Sequence, residues 1–232
     1  AVESADLIVV APADMILVTG EIVRQMITTH EESGAHATVL GALVDDPSGL
    51  GRIKLDASAK PVVILEEHEA DEELLQSHLI NTAWYCFDNN WIWNALDLVE
   101  PTETSEVYLP RVIKSAAAAG RVRAVVSDNG EMGQGINDRV QLSRVETIMR
   151  QRTNEAHMKN GVSIQDPATT YIDIDVEIGA DTRIGAGTHI GTRSTIGSNV
   201  LIGPNTQIIS SKIGDGVTID GARVINSVVG EG

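Results

Sequence analysis

An isoleucine recurs at every sixth residue through much of the latter part of the chain. The repeated positions are Ile172, Ile178, Ile184, Ile190, Ile196, Ile202 and Ile208, and a glycine follows each of the five from Ile178 to Ile202. Because six is even, these side chains stay on one face of an extended chain, whereas on an α-helix they would spiral around the axis. The period therefore predicts short strands, and the glycines are expected to supply turn geometry that a Cβ would disfavour.

The residue four positions after each isoleucine is small or β-branched, which suits a second inward-facing position. These residues are Val176, Thr182, Thr188, Ser194, Val200 and Thr206. Short strands joined by tight turns, each burying one isoleucine, make a hexapeptide parallel β-helix whose core forms only when coils stack. We favour this fold over a β-sandwich, whose turn signals usually lie about eight to twelve residues apart.

The period slips after Ile208. The next apolar positions are Ile213, Ile219, Val224 and Val229, which follow one another at intervals of six, five and five residues. Two explanations remain open, a looped-out coil and a decay of the repeat.

The composition of the chain narrows its functional class. The 232 residues leave room for two domains, and they carry a formal net charge of −16, with an isoelectric point of about 4.6. Such acidity disfavours binding to nucleic acid or to an acidic membrane surface, because proteins hold phosphates with lysine and arginine. A ligand with phosphates would need a bound cation or a locally basic pocket to offset this charge.

Cys86 is the single cysteine and lies in an apolar stretch. It cannot form an internal disulfide, which fits a reducing, cytoplasmic setting, and we predict a core residue rather than a nucleophile. No apolar run approaches the length of a membrane span, and no signal peptide opens the chain. We therefore expect no membrane association.

Strand and helix signals alternate at the start of the chain. Leu7 to Val10 is a short continuous apolar run, typical of a buried parallel strand. Thr19 is placed to cap a helix that runs to about Ser33, with Gly34 at its end. Strand signals follow from Ala37 to Val44, and this β-α-β order predicts a right-handed crossover and a mostly parallel sheet.

Three polar residues stand near these first elements. Asp14 follows the first predicted strand, at the edge of an open α/β sheet where ligands bind, although a turn or capping aspartate fits the same context. His30 and His36 flank the predicted end of the helix without metal-ligand spacing. We predict that both histidines are surface residues.

A turn-rich segment from Asp45 to Arg52 carries another candidate. Gly49 and Gly51 flank a single apolar residue, a spacing that lets the backbone approach a ligand closely. Arg52 is a candidate for offsetting phosphate charge. A plain hairpin connection explains the same residues equally well.

Glu66 and Asn81 are further polar candidates. Glu66 ends an apolar strand that begins at Pro61, where its carboxylate can accept sugar hydroxyls, whereas the acidic run through Glu73 is typical of a solvated surface. Asn81 interrupts a predicted strand from Leu79 to Phe87. Ligand recognition and a satisfied core amide both remain open for Asn81.

Asn137 opens the longest helical pattern of the chain. Leu142, Val145 and Met149 keep helical spacing, and the pattern continues towards Asn160. Without other information an N-cap is the preferred role for Asn137. We predict a first domain at residues 1–139, a linker helix at 140–160 and a β-helix at 161–232.

Five motifs together resemble the bacterial family of bifunctional enzymes that combine N-acetylglucosamine-1-phosphate uridylyltransferase with glucosamine-1-phosphate N-acetyltransferase. They are Asp46-Pro-Ser-Gly-Leu-Gly-Arg-Ile53, Leu65-Glu-Glu67, Ile80-Asn-Thr82, Gly135-Ile-Asn-Asp-Arg-Val-Gln-Leu142, and Gly161-Val162 with Asp166-Pro-Ala-Thr-Thr170. Their order and spacing extend the resemblance over nearly the whole chain, and it looks closest to actinobacterial members. The resemblance implies a mixed α/β, mostly parallel, Rossmann-like nucleotidyltransferase sheet that lacks its first β-α unit, followed by a left-handed parallel β-helix.

The resemblance also implies ligands for particular residues. Asp14 and Asn137 would hold Mg²⁺, and Gly51, Glu66 and Asn81, together with Asn137, would contact UDP-N-acetylglucosamine. The implied substrates are UTP and N-acetylglucosamine 1-phosphate, and acetyl-CoA is a partner only of the full-length family. Mg²⁺ prefers a few oxygen ligands plus substrate phosphates, so two protein ligands suffice. A homotrimer, with coils packed about a threefold axis, is also expected.

This sequence departs from the family pattern in two ways. The glycine-rich loop that cradles the triphosphate and the coils with the acetyltransferase histidine are absent from it, so we expect incomplete active sites. Ala83 stands beside Asn81 where the family usually has glycine, and its Cβ is expected to crowd the nucleotide or sugar.

Two other functions remain open. One is a non-catalytic homologue that serves as a trimeric sugar-nucleotide-binding module or scaffold. The other is a separate hexapeptide acyltransferase with His189, the histidine of the repeats, as its base. The outward-facing position predicted for His189 favours a solvated residue instead.

Overall fold

The computed structural model describes residues 5–99 and 109–232, and the chain divides into two compact units, Ala1–Gln141 and Leu142–Gly232. The strands of the first unit are β1 Leu7–Val10, β2 Ala37–Leu43, β3 Arg52–Leu55, β4 Pro61–Leu65, β5 Leu79–Asp88 and β6 Val122–Ser127. Its helices are α1 Gly20–Ser33, α2 Glu72–Leu75, α3 Asn89–Asp97 and α4 Val112–Ala118, with short 3₁₀ helices at Glu67–Glu69, Leu109–Arg111 and Gly130–Gly133. The long helix α5, Arg139–Lys159, begins in the first unit and continues into the second.

Strand β5 organises the sheet of the first unit. One edge of β5 pairs antiparallel with β2, and the other pairs antiparallel with β1 and, further along, with β3. Strand β6 runs parallel to β2, and β4 pairs antiparallel with β3. β1, β2, β3 and β6 therefore point in one direction, so the prediction of a mixed α/β, mostly parallel sheet is confirmed for strand direction.

The prediction that Leu7–Val10 is a buried parallel strand is wrong in two respects. Strand β1 is antiparallel to its neighbour β5, and all four of its residues are only half-buried. A short apolar run reports that a segment packs against other residues, but it carries no information about the direction of a partner strand that arrives much later in the chain.

Helix α1 has the ends that its sequence predicts. The Thr19 hydroxyl accepts a hydrogen bond from the Ile22 N–H at 3.5 Å, and Gly34 takes a left-handed conformation with φ 57°. Both features satisfy backbone groups that a helix end leaves unpaired. On the face towards the sheet, Met26 is buried against Leu40.

The prediction that His30 and His36 are surface residues is wrong for His30. His30 is 5% exposed, and its Nδ1 lies 3.0 Å from the Thr38 hydroxyl. His36 is half-buried and stacks on the Trp91 ring at 5.0 Å between centroids. An imidazole is amphipathic, so a hydroxyl or an aromatic neighbour suffices to bury it in the neutral form.

The sheet of the first unit has apolar residues on both faces. One cluster joins it to α3 and α4 and contains Ala37, Val39, Ile53, Ile64, Leu79, Tyr85, Phe87, Ile92, Ala95, Val112, Ile113, Ala116 and Val122. A smaller cluster, Met26, Leu40 and Val125, joins the other face to α1. Val39 and Leu40 thus point to opposite sides of β2, as successive strand residues do.

The second unit is a parallel β-helix with three faces. Its strands are β7 Ser163–Ile164, β8 Tyr171–Ile172, β9 Glu177–Ile178, β10 Arg183–Ile184, β11 His189–Ile190, β12 Thr195–Ile196, β13 Leu201–Ile202, β14 Gln207–Ile209, β15 Lys212–Ile213, β16 Thr218–Ile219, β17 Arg223–Ile225 and β18 Val228–Val229. They form three four-stranded sheets in which every third strand is a neighbour. This topology confirms the hexapeptide β-helix over the β-sandwich.

The inward-facing positions of the repeat are buried as predicted, except that Ile178 is half-buried. Ile184, Ile190 and Ile202 are at most 2% exposed. The second position is buried in every repeat, at Val176, Thr182, Thr188, Ser194, Val200 and Thr206. The Thr182 and Thr188 hydroxyls there donate to the Gly197 and Gly203 carbonyls at 2.8 and 3.2 Å. The buried hydroxyls of Ser194 and Thr206 have no partner among the described residues.

Four of the five glycines after the isoleucines are required by the stacking of coils, and none of the five lies at a left-handed turn position, so their predicted role in turn geometry is wrong. Gly179, Gly185, Gly191, Gly197 and Gly203 all lack a positive φ. A Cβ on Gly185 would lie 2.6 Å from the nitrogen of Pro204 in the next coil. The left-handed turn positions are taken instead by other residues, such as Asn199 with φ 57°, because asparagine tolerates that conformation.

The slip in period neither loops out a coil nor ends the repeat. Ile208 pairs with Val224, and Ile213 pairs with Val229, so the inward positions stay in register. In the regular turns the left-handed residue lies three positions after the inward residue, whereas Ser210 with φ 49° lies only two after Ile208. The shorter interval is therefore absorbed in a tighter turn.

Helix α5 is fixed to the first coils of the second unit by Asn154. The fully buried Asn154 amide donates to the carbonyl oxygens of Pro167 at 2.9 Å and Thr170 at 3.0 Å. The Arg150 guanidinium lies 4.6 Å from the centre of the Tyr171 ring. Across residues 5–99 and 109–232, no helix combines the length and the apolar character needed to cross a bilayer.

Candidate functional site

Along one edge of β5 there is a gap between the residues that pair with β1 and those that pair with β3. The segments that carry the predicted ligand residues border this gap. Strand β1 pairs with β5 as far as Val10, opposite Tyr85, and β3 begins opposite Ile80. The edge of β5 between these two registers therefore borders the segment that leaves β1 and the segment that enters β3. Asp14 lies on the first of these segments and Gly51 on the second.

The structure brings Asp14 and Asn137 together around Gly135. A Cβ on Gly135 would lie 3.7 Å from Oδ2 of Asp14 and 4.0 Å from Nδ2 of Asn137. The two segments are tied to each other, because the Ile136 N–H donates to the Asp14 carbonyl at 3.2 Å. Asp14 is half-buried and Asn137 is exposed, so both side chains border a space that a ligand can reach.

Neither of these side chains serves as a cap. Asp138 caps α5, because its carboxylate accepts from the Gln141 N–H at 2.7 Å while the Gln141 side chain accepts from the Asp138 N–H at 3.2 Å. The alternative prediction of Asn137 as the N-cap is therefore wrong. The side chains of Asp14 and Asn137 make no hydrogen bond to another residue within 5–99 and 109–232.

The Asp14 and Asn137 pair offers a cation two oxygen ligands. The described ranges contain no group of three or more His, Cys, Asp or Glu side chains that could hold a metal ion. Rotation of the Asn137 amide by half a turn presents Oδ1 in place of Nδ2. A site with two hard oxygen ligands and open positions matches Mg²⁺, which keeps waters or takes phosphate oxygens.

The Glu66 carboxylate lies directly beside Gly51. A Cβ on Gly51 would lie 3.4 Å from Oε1 and 3.5 Å from Oε2 of Glu66. The backbone of Glu66 is held by Glu69, whose N–H donates to the Glu66 carbonyl at 2.9 Å and whose carboxylate accepts from the Glu66 N–H at 3.3 Å. Gly51 itself is buried and Glu66 is half-buried, so the two carboxylate oxygens are the part of this pair that a ligand with hydroxyl groups can reach.

Asn81 joins the same group of residues. Its N–H donates to the Gly51 carbonyl at 2.8 Å. Its side-chain Oδ1 accepts from the Ala83 N–H at 3.1 Å, and its Nδ2 donates to the Tyr85 hydroxyl at 2.7 Å. The amide is half-buried and keeps one N–H without a bond to another described residue, so it can still serve a ligand.

A bulge in β5 makes the contact between Asn81 and Tyr85 possible. Val39 pairs with Tyr85, and Gly41 pairs with Asn81. Between these two pairs β2 has one residue and β5 has three, so β5 bulges by two residues. Ala83, in the middle of the bulge, has φ 59°. The sequence carries no glycine at this position, and for that reason sequence reasoning missed Tyr85 as a neighbour of the site.

Arg52 is not available to a phosphate, and the prediction of a charge-offsetting role is wrong. Its side chain is 2% exposed. Nε donates to the Ser77 carbonyl at 3.1 Å, the guanidinium also contacts the Leu50 carbonyl, and it lies 3.7 Å from the Glu67 carboxylate. The cation holds neighbouring loops together instead.

The two remaining candidates for chemistry, Cys86 and His189, lie in the core and on an outward face respectively. Cys86 is fully buried, and burial raises the pKa of its thiol to about 11, which confirms a core residue rather than a nucleophile. His189 faces outward from β11, with its ring edge-on to Tyr171 at 6.4 Å between centroids.

Two family profiles match the chain. The profile described as nucleotidyl transferase matches residues 1–135, which is more than half of the chain. The profile described as bacterial transferase hexapeptide, six repeats, matches residues 175–210.

Several curated proteins are similar to nearly the whole chain. A protein named "Bifunctional protein GlmU" from Clostridium botulinum is 38% identical over 221 residues, which cover 94% of this chain and 48% of that protein. The protein of the same name from Lactobacillus delbrueckii subsp. bulgaricus is 40% identical over 231 residues, 99% of this chain and 50% of that protein. The one from Shouchella clausii is 38% identical over 226 residues, 97% of this chain and 50% of that protein. The chain thus spans about half the length of these relatives.

Proposed function

Because this chain belongs to the nucleotidyl transferase family, we propose that its first unit binds UDP-N-acetylglucosamine and serves Mg²⁺-dependent uridylyl transfer from UTP to N-acetylglucosamine 1-phosphate. The observation that carries this proposal is the meeting of Asp14 and Asn137 around Gly135. Both are polar side chains without a structural bond to another described residue, and they lie beside a backbone position that lacks a Cβ.

Asp14 and Asn137 would hold the magnesium ion through the carboxylate and the amide oxygen. The pair fits the ion because both groups offer hard oxygen ligands and leave further positions to waters and phosphates. When bound, Mg²⁺ neutralises charge on the phosphates and orients them. A cation at this place also offsets the repulsion that a chain of net charge −16 would exert on a nucleotide.

Gly51, Glu66 and Asn81 would bind the sugar. The Glu66 carboxylate accepts hydrogen bonds from hydroxyl groups, and the remaining N–H of Asn81 donates one. Adjacent donor and acceptor groups match a hydroxyl, which both donates and accepts. The missing side chain at Gly51 leaves room for the sugar beside the Glu66 carboxylate.

Uridylyl transfer requires positioning more than a protein nucleophile. A phosphate oxygen of N-acetylglucosamine 1-phosphate attacks the α-phosphorus of UTP. The new P–O bond forms as the bond from the α-phosphorus to the bridging oxygen breaks, and pyrophosphate leaves with the electron pair. The sugar-binding residues hold the attacking phosphate in line by fixing the ring that carries it.

The β-helix would assemble the chain into a homotrimer. The match to the hexapeptide profile supports this assembly, and the faces of the β-helix carry exposed apolar side chains such as Leu201 and Val228. Acetyl transfer from acetyl-CoA to glucosamine 1-phosphate is proposed only for a longer chain of this family. Analytical ultracentrifugation should give the mass of a trimer, and a pure monomer at micromolar concentration would contradict this assembly.

A non-catalytic sugar-nucleotide-binding module or scaffold is the second candidate. It is favoured by Ala83, which carries a Cβ in a left-handed conformation next to Asn81 and would thereby crowd a sugar bound to the amide. A binding module would retain UDP-N-acetylglucosamine without releasing pyrophosphate from UTP and N-acetylglucosamine 1-phosphate. A scaffold would do neither.

Titration calorimetry with UDP-N-acetylglucosamine, in MgCl₂ and in EDTA, tests the proposal. The chain should bind more tightly in MgCl₂, and Asp14→Asn and Asn137→Ala should each lose that difference. Asn94→Ala is the matched control, because Asn94 is exposed on α3. Equal affinity with and without metal, or no binding at all, would overturn the proposed site.

A further inference from the structure

Tyr85 lies beneath Asn81, and the ligand assignments leave it out. Its side chain is 1% exposed and belongs to the main apolar cluster of the first unit. The ring stacks on Phe87 at 5.5 Å between centroids. Packing fixes the ring, so the hydroxyl has a fixed position as well.

The Tyr85 hydroxyl has one polar partner among the described residues, the Asn81 amide. The phenol oxygen lies 2.7 Å from Nδ2 and 3.0 Å from Oδ1 of Asn81. A buried hydroxyl without a hydrogen bond is costly, so this contact is a constraint on both residues. Burial raises the pKa of Tyr85, the Asn81 hydrogen bond opposes this effect and the Glu66 charge adds to it, so the phenol is neutral at neutral pH.

The Tyr85 hydroxyl fixes where the Asn81 amide lies, because it can accept from Nδ2 or donate to Oδ1, and the Ala83 N–H selects which of the two amide orientations is present. Its Oδ1 is held by the Ala83 N–H and its Nδ2 by the Tyr85 oxygen. A flipped amide would place its NH₂ group against the Ala83 N–H, which is a clash between two donors. The second N–H of Asn81 is thereby directed away from Tyr85.

We propose that Tyr85 is a positioning residue whose hydroxyl, together with the Ala83 N–H, holds the Asn81 amide where its second N–H donates to a sugar hydroxyl. This inference rests on the proposed function, because it requires Asn81 to contact UDP-N-acetylglucosamine. Tyr85 itself does not touch the ligand. It acts through the bulge at Ala83, which brings two side chains four residues apart into contact, and bulges beside functional sites commonly re-aim side chains in this way.

The test is titration calorimetry of UDP-N-acetylglucosamine with Tyr85→Phe, in MgCl₂. Phenylalanine keeps the ring and its packing and removes only the hydroxyl. Loss of one orienting hydrogen bond should weaken binding by about three- to ten-fold. In an Asn81→Ala background the same substitution should cause no further loss, because its effect is transmitted through the amide. Tyr171→Phe is the control, since Tyr171 is half-exposed on β8 of the second unit.

The outcomes separate this inference from the proposed function. If the unaltered chain binds and Tyr85→Phe binds equally well, Tyr85 does not position Asn81 and the inference alone falls. The inference would also be overturned if Tyr85→Phe lowered the affinity equally with Asn81 present and in the Asn81→Ala background. That result would show that the substitution disturbs the fold in general rather than the amide. If the unaltered chain does not bind at all, the proposed function falls and takes the inference with it.

Discussion

Gly185 lies so close to Pro204 of the next coil that a Cβ on Gly185 would come within 2.6 Å of the Pro204 nitrogen. No flexible side chain is available to give way, because the contacted atoms belong to the backbone. We therefore expect Gly185→Ala to push two coils apart and to lower the free energy of unfolding of the second unit by about 1–3 kcal/mol. Urea unfolding followed by far-ultraviolet circular dichroism measures this change.

Tryptophan fluorescence provides an internal reference for this experiment. The three tryptophans, Trp84, Trp91 and Trp93, all lie in the first unit, so their unfolding midpoint should stay unchanged. Gly230→Ala is the matched variant, because a Cβ there would meet no atom within 4 Å. Equal stability of Gly185→Ala and Gly230→Ala would contradict the prediction, because it would show that the coils accommodate a methyl group at position 185 without cost.

Gly51→Ala is expected to spare the fold and weaken the binding of UDP-N-acetylglucosamine. A Cβ at Gly51 would contact the Glu66 carboxylate at 3.4 Å, an ordinary van der Waals distance, so the protein itself accepts the methyl group. The methyl group would nevertheless occupy the space from which a sugar reaches Glu66. Calorimetry should show an affinity at least about ten-fold lower, a loss of roughly 1.4 kcal/mol.

Gly20→Ala serves as the control for this variant, because Gly20 is exposed at the start of α1. Its affinity for UDP-N-acetylglucosamine should match that of the unaltered chain. An unchanged affinity in Gly51→Ala, with the same unfolding midpoint, would remove Gly51 from the sugar-binding residues.

The elements of the fold were predictable wherever a local pattern determines them. The six-residue period requires only that inward side chains share a face, and Ile184 and Ile202 are buried as that period demands. Thr19 and Gly34 fix the ends of α1 through contacts within the helix itself. The antiparallel pairing of β1 with β5 was not predictable. β5 lies far away in sequence, and the residues Leu7–Val10 do not encode the direction of their partner strand.

The candidate site was predictable to the extent that its residues follow strands. Asp14 and Glu66 each come directly after an apolar segment, and the structure places each beside a glycine. Burial of Arg52 and its bonds to carbonyl oxygens depend on loops that pack in three dimensions. Tyr85 was missed for a similar reason, because the bulge that brings it to Asn81 contains alanine rather than glycine.

Ala83→Gly is expected to stabilise the first unit. Ala83 has φ 59°, a conformation that costs a residue with a Cβ about 1–2 kcal/mol. Glycine removes this strain and loses about 0.4–1 kcal/mol through the greater freedom of the unfolded chain. The net gain should approach about 1 kcal/mol, measured as a higher urea midpoint of tryptophan fluorescence. Ala57→Gly, at an exposed position, should not raise the midpoint.

The same variant tests whether the Ala83 Cβ crowds the ligand. If it does, Ala83→Gly binds UDP-N-acetylglucosamine more tightly than the unaltered chain while Asn81 keeps its contacts. A gain in stability without a gain in affinity would show that Ala83 is strained but stands clear of the sugar.

Two histidines of the first unit, the buried His30 and the half-buried His36, should make its stability depend on pH. Burial lowers the pKa of His30 from its ordinary value of 6.5, and the charges of His36 and Arg121 lower it further, against the opposite effect of Asp88 and Glu31. The pKa of His36 is lowered as well, first by burial and then by the Arg121 charge, with Asp88 opposing. Both imidazoles are therefore neutral in the folded chain at neutral pH.

A lowered pKa means that the unfolded chain takes up protons before the folded chain does. The stability that the two neutral imidazoles contribute is fully present above about pH 6.5, the ordinary pKa of histidine. This contribution is lost as the pH falls below that value towards the pKa of the folded state. The urea midpoint of tryptophan fluorescence should thus be lower at pH 5.5 than at pH 7.5. His30→Gln should reduce that difference, whereas His68→Gln should not, since His68 is exposed. An identical pH dependence in both variants would show that His30 does not contribute to it.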